Sequence, residues 1–126
     1  MSDRFSAYAP QVLAALRVVA ALLFIAHGTQ KLLGFPTTEM QPPLMSLFGA
    51  AGIIEIVAGL MILVGFFTRP VAFVLCGFMA VAYFMGHVST GGFFPSINMG
   101  GGAILYCFIF GYLVLAGPGA WSVNKQ

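Results

Sequence analysis

Residues 44–67 read LMSLFGAAGIIEIVAGLMILVGFF and hold one charged residue, Glu55, near the midpoint. A run of about 20 apolar residues spans the hydrocarbon of a bilayer, so the stretch predicts a transmembrane helix. An acid at the centre of such a helix costs roughly 2.5–3.5 kcal/mol on translocon scales and rarely faces lipid. At about 100° per residue, Phe48, Ala51, Gly52, Ala58, Gly59 and Ile62 share the face of Glu55. Small residues directly before and after the acid predict close approach to another helix. Two readings of the carboxyl stay open: a proton-handling or ligand-orienting group, or one half of a buried ion pair that fixes helix register.

The whole chain has the same character. Of its 126 residues, 60% are hydrophobic and 6% charged, and the mean hydropathy is +1.01. A soluble domain carries about 25% charged residues, so this composition predicts an integral membrane protein. The net charge of +2 is small and dispersed, with no basic run to meet a phosphate backbone, which argues against nucleic acid as a partner. Cys76 and Cys107 lie in apolar segments without CxxC or Cys/His spacing, so they are expected to pack as small apolar residues, with no metal site. The opening MSDRFSAYAP lacks the basic start, apolar stretch and cleavage site of a signal peptide, and the first span is expected to stay in the mature protein.

Working outward, the segment before residue 44 is FPTTEMQPP (35–43), a loop with three prolines. Before it, Pro10 suits the first turn of a helix running to about residue 34. Arg17, His27 and Lys31 fall on one side of that helix with Ala20, Phe24 and Gly28, opposite Val19, Leu22, Leu23 and Ala26, which predicts protein in front and lipid behind. After residue 67, Thr68-Arg69-Pro70 marks a tight turn into a third helix. There Ala72, Cys76, Ala80, Tyr83 and His87 line one face. The Gly- and Pro-containing loop STGGFFPSI (89–97) follows, its two phenylalanines read as interfacial anchors, and then a fourth apolar segment that ends near Trp121.

The prediction is an all-α membrane protein, a four-transmembrane-helix up-and-down bundle with spans at about 11–34, 44–67, 70–88 and 98–117, forming one domain over 1–126. Arg4, Arg69 and Lys125 gather at one surface, so the positive-inside rule places both termini in the cytoplasm. At about 1.5 Å rise per residue, Arg17 lies one to two turns from the bilayer centre, and an interhelical ion pair between Arg17 and Glu55 is expected. Lys31, His27 and His87 fall toward the outer half under the 89–97 loop. Imidazole titrates near neutral pH and both donates and accepts, so His27, Tyr83, His87 and Lys31 form a candidate site for a quinone-like head group. A set of plain interhelical hydrogen bonds is the alternative.

Arg17, HGTQKLLGF (27–35), EIVAGLMILVGFFTRP (55–70), the Tyr83 and His87 pair, FFPSIN-x-G (93–100), LYCF (105–108) and GPGAWS (117–122) together resemble the DoxX family, in order and spacing, over nearly the whole chain. The resemblance implies a four-helix inner-membrane protein related to the membrane subunit of thiosulfate:quinone oxidoreductases and to membrane-associated oxidoreductase assemblies. One position departs from the pattern: the family motif N-x-G-E has Gly101 where the acid would stand. The chain has no haem-ligating histidine pair and no cysteine set for an iron–sulfur cluster, so no covalently bound cofactor is expected and electrons would come from a partner. The resulting expectation is a small subunit or accessory of a redox complex with a quinone contact, packed against other membrane subunits or a second copy. The alternative is a non-catalytic subunit that packs against a larger membrane complex.

Overall fold

The computed structural model describes residues 2–33, 47–88, 91–94, 100–124 and 126, and among them there is no strand. The helices are α1 (Ser2–Ser6), α2 (Ala9–Leu33), α3 (Leu47–Val64), α4 (Thr68–Ala82) and α5 (Gly101–Ala116), with α4 continuing into a π-helical turn, Tyr83–Val88. Ala9–Gln30 and Thr68–Met85 are each long and apolar enough to cross a membrane, and Gly49–Val64 and Gly101–Ala116 are shorter apolar helices.

The burial pattern is that of a protein solvated by hydrocarbon. Leu115, Phe108 and Phe73 are each at least 70% exposed, while Arg17 and Glu55 are buried to 1% and 2%. In water so much exposed apolar surface would drive association. Around a membrane helix it is the lipid-facing side, with the charged groups turned into protein.

Two antiparallel helix pairs carry the packing. In the first, bare glycine faces bring α2 against α3. A Cβ on Gly28 would stand 2.7 Å from Ile56 Cγ1 and 2.8 Å from the Gly52 carbonyl oxygen, and one on Gly59 would stand 2.6 Å from Ile25 Cγ1. These separations lie inside van der Waals contact, so the backbones approach as closely as they do only because no side chain intervenes. In the second pair, α4 and α5 meet where Cys76 faces Cys107 and Gly111. Phe24 joins the pairs: its ring lies 5.2 Å from Phe110, 5.5 Å from Tyr106 and 6.4 Å from Phe78, in tilted or edge-on geometry. Such aromatic contacts add about 0.5–1.5 kcal/mol each beyond area burial. Around Phe24 the core continues through Ala21, Ile62, Ala72, Leu75, Met79 and Leu113.

The α3–α4 turn and the C-terminal tail interlock. Gly65 (φ 74°) and Phe67 (φ 49°) both adopt left-handed backbone. A Cβ on Gly65 would lie 2.4 Å from Ser122 Cβ. The tail answers the open polar groups there: Val123 N–H donates to Val64 O (2.9 Å), Arg69 N–H to Gln126 O (3.0 Å), and Phe67 N–H to Asn124 Oδ1 (3.0 Å). Ala120 N–H donates to Pro10 O (3.0 Å) at the start of α2. The N-terminal end of α2, the α3–α4 turn and the tail therefore meet at one end of the molecule.

Candidate functional site

Arg17 does not pair with Glu55. Its guanidinium is buried at the tail end of the molecule, where Nη1 donates to Pro118 O and Ala120 O (3.1 Å) and Nη2 to Trp121 O (3.0 Å) and Leu63 O (3.5 Å). Leu63 lies in the last turn of α3, where carbonyls lack helical partners and the helix dipole is negative. Glu55 sits farther along, its Cβ opposite Gly28. Arg17 and Gly28 are eleven residues apart on α2, an axial separation of roughly 16 Å. Nominal depth in the bilayer places the two side chains within reach, whereas the antiparallel register of α2 and α3 sets Arg17 against the far end of α3.

At the Glu55 level three helices converge. Tyr106 of α5 meets the His27 ring of α2 edge-on, centroids 5.9 Å apart. Gly28, next to His27, gives the bare patch on α2 against which Glu55 packs. His27 lies on the exposed flank of α2 and not on its buried stripe, which runs through Ala14, Arg17, Ala20, Ala21, Phe24 and Gly28. Its Nδ1–H donates to Leu23 O at 2.9 Å. Because a carbonyl only accepts, Nδ1 carries a proton, and in the neutral ring the lone pair is on Nε2.

Tyr83 is buried at the start of the π-turn, and its hydroxyl donates to Phe93 O. It thereby ties the end of α4 to the segment that follows. π-Turns occur often at functional sites. The side chains of Lys31 and His87 lie outside the described residues. Tyr106 was not among the candidates because it stands in an apolar run, LYCF, with no polar neighbour in sequence. Only the register of α5 against α2 sets its ring beside His27. Among the described residues no group of three or more His, Cys, Asp or Glu side chains is placed to hold a metal.

Apolar helices with an exposed hydrophobic exterior, buried charges and glycine-mediated contacts define a small helical membrane protein. The comparisons specify which kind: residues 12–88 match the DoxX family model, and the chain belongs to the DoxX family. It is 42% identical to an uncharacterized protein of Haemophilus influenzae over 94% of this chain and 92% of that one. It is also similar to two Escherichia coli proteins: inner membrane protein YqjF (30% identical, 86% of each chain) and inner membrane protein YphA (27%, covering 97% of this chain and 94% of the other). No solved structure matches the chain.

Proposed function

We propose that the chain is an inner-membrane subunit or accessory of a quinone-linked redox assembly, and that His27, flanked by Tyr106 and Glu55, contacts the quinone head group. Four spans in up-and-down order, with both termini cytoplasmic, are part of this reading. The observation that carries it is the exposed His27 ring, whose Nδ1–H is held by Leu23 O. The Nε2 lone pair suits a quinol hydroxyl as hydrogen-bond donor and takes its proton as electrons leave. The Tyr106 ring lies beside it, and Glu55 packs against Gly28, the next residue on α2, so a phenol and a carboxyl stand near the imidazole to receive or return a proton. The inner-membrane location accords with the names of the two Escherichia coli relatives. Electrons are exchanged with a partner protein, since His27, Tyr106 and Glu55 bind and move protons only.

The test is gentle purification with analysis of copurifying proteins and lipid-soluble molecules, for the native chain and for His27→Ala and Tyr106→Phe. Retained quinone and quinone-dependent electron flow should fall in both variants at unchanged abundance. Unchanged flow and no retained quinone in the native protein would sink the reading. Gly101→Glu is a further arm: among the described residues nothing lies within 4 Å of a Cβ at that position, and flow should rise only if the site turns over quinone.

A structural, non-catalytic role is the second reading, favoured by the bare outward faces at Gly77 and Gly102, where a Cβ would meet nothing within 4 Å among the described residues. Such faces admit a neighbouring helix. Leucine at Gly77 or Gly102 should then disrupt assembly while both His27 and Tyr106 variants stay silent. Gly52 and Gly59 are unsuited to this test, because both face the α2–α3 contact itself.

A further inference from the structure

Cys76 of α4 and Cys107 of α5 are free thiols facing each other across the helix contact, with Sγ atoms 3.7 Å apart. They lie 31 positions apart in sequence, and neither has a cysteine neighbour along its own helix. Gly111, one turn beyond Cys107, borders Cys76: a Cβ there would lie in ordinary contact, 3.6 Å from Cys76 Sγ, and a longer side chain would press on the sulfur. Each cysteine stands near the middle of its helix and is partly exposed on the flank of the α4–α5 contact. The exposed flanks beside them carry Phe73, Val74, Leu105 and Phe108, so what reaches the thiols arrives through hydrocarbon.

We propose that Cys76 and Cys107 form a redox-active dithiol, oxidised to an α4–α5 disulfide by a lipid-soluble benzoquinone. The choice of oxidant rests on the proposed quinone link; the dithiol itself does not use His27, Tyr106 or Glu55. Two S–H bonds break and one S–S bond forms, and the two electrons and two protons pass to the two carbonyl oxygens of the quinone, giving a quinol. Protein dithiols are stronger reductants than benzoquinols, so electrons run in that direction. A disulfide needs its sulfurs at about 2.05 Å, so closure requires the two side chains to rotate together from their present contact and the helices to adjust. Charged glutathione does not enter the bilayer core, since buried charge there is costly. The pair therefore follows the lipid-soluble redox pool and not the aqueous thiol pool, and its closure pins α4 to α5.

The experiment uses the full chain, reduced, in lipid nanodiscs under anaerobic conditions, with decylubiquinone as the probe and oxidised glutathione as the aqueous control. After the reaction the protein is denatured and alkylated, and its intact mass and quinol absorbance are read. Decylubiquinone should remove both alkylatable thiols within one chain, lower the mass by two hydrogens and yield one quinol per protein, while glutathione disulfide does neither. Cys76→Ser and Cys107→Ser should each abolish quinol formation. Gly111→Leu keeps both thiols but fills the notch beside Cys76, and should slow closure at least tenfold. Both thiols still alkylatable after quinone exposure overturns the proposal, as does oxidation that appears only as a disulfide between two chains. His27→Ala separates the two ideas: closure that persists in this variant supports the dithiol whatever becomes of the His27 site, and quinone binding at His27 with both thiols left intact overturns the dithiol alone.

Discussion

Replacing Arg17 with methionine keeps a long apolar stem but removes every donor from the carbonyl cage formed by Pro118, Ala120, Trp121 and Leu63. Hydrogen bonds to a charged group contribute about 1.5–3 kcal/mol each, so three sound bonds amount to roughly 5–9 kcal/mol gross. Against this stands the desolvation cost of the buried guanidinium, several kcal/mol, which the substitution relieves. The expected net loss is about 3–4 kcal/mol, a large part of the 5–15 kcal/mol that holds a typical domain together. The loss should be localised. Equilibrium unfolding in mixed micelles measures its size, and amide hydrogen exchange reads its place, with the Ala120, Val123 and Asn124 amides losing protection first because they bond to Pro10, Val64 and Gly65. Adding Glu55→Gln distinguishes this account from an ion pair. At roughly 16 Å and an effective dielectric of about 20, two full charges couple by about 1 kcal/mol, against about 4 kcal/mol in contact at 4 Å. Coupling above about 3 kcal/mol in the double-mutant cycle, or tail amides that stay protected in Arg17→Met, would refute the reasoning.

Three further outcomes follow from the same geometry. Gly28→Leu should separate α2 from α3 and lower stability by more than about 3 kcal/mol, because it drives into the Gly52 backbone, whereas Gly77→Ala, with open space around it, should gain up to about 1 kcal/mol from helix propensity; equal effects in an unfolding titration would contradict the packing. Tyr83→Phe should cost about 1 kcal/mol and expose the chain near Phe93 to proteolysis, since the Phe93 carbonyl loses its donor, and an unchanged cleavage pattern would count against that tether. Reporter fusions at the N-terminus and at Lys125 should read cytoplasmic and one at Thr90 external; a cytoplasmic signal at Thr90 reverses the orientation.

The membrane character of the chain, its helical segments and the inward turn of Glu55 and Arg17 follow from sequence alone. Period and composition suffice for them: a charge in a long apolar helix must face protein, and the small residues on its face must meet a neighbour. Val19, Leu22 and Leu23 lie on the exposed arc, and Phe24 and Gly28 on the buried one, as the helical angles require. The DoxX relationship was legible too, in the order of short motifs that individually specify little. What the sequence could not determine is which buried group meets which. Angles place a residue on a face but not at a height against its neighbour, and one turn of sliding between antiparallel helices exchanges every cross-contact. Tertiary structure therefore decided that Arg17 binds the carbonyls of a tail more than a hundred positions away, that Tyr106 stands beside His27, and that two isolated cysteines face each other. Between α2 and α3 the register goes with close approach at Gly28 and Gly59, whose effect exists only once the helices have met.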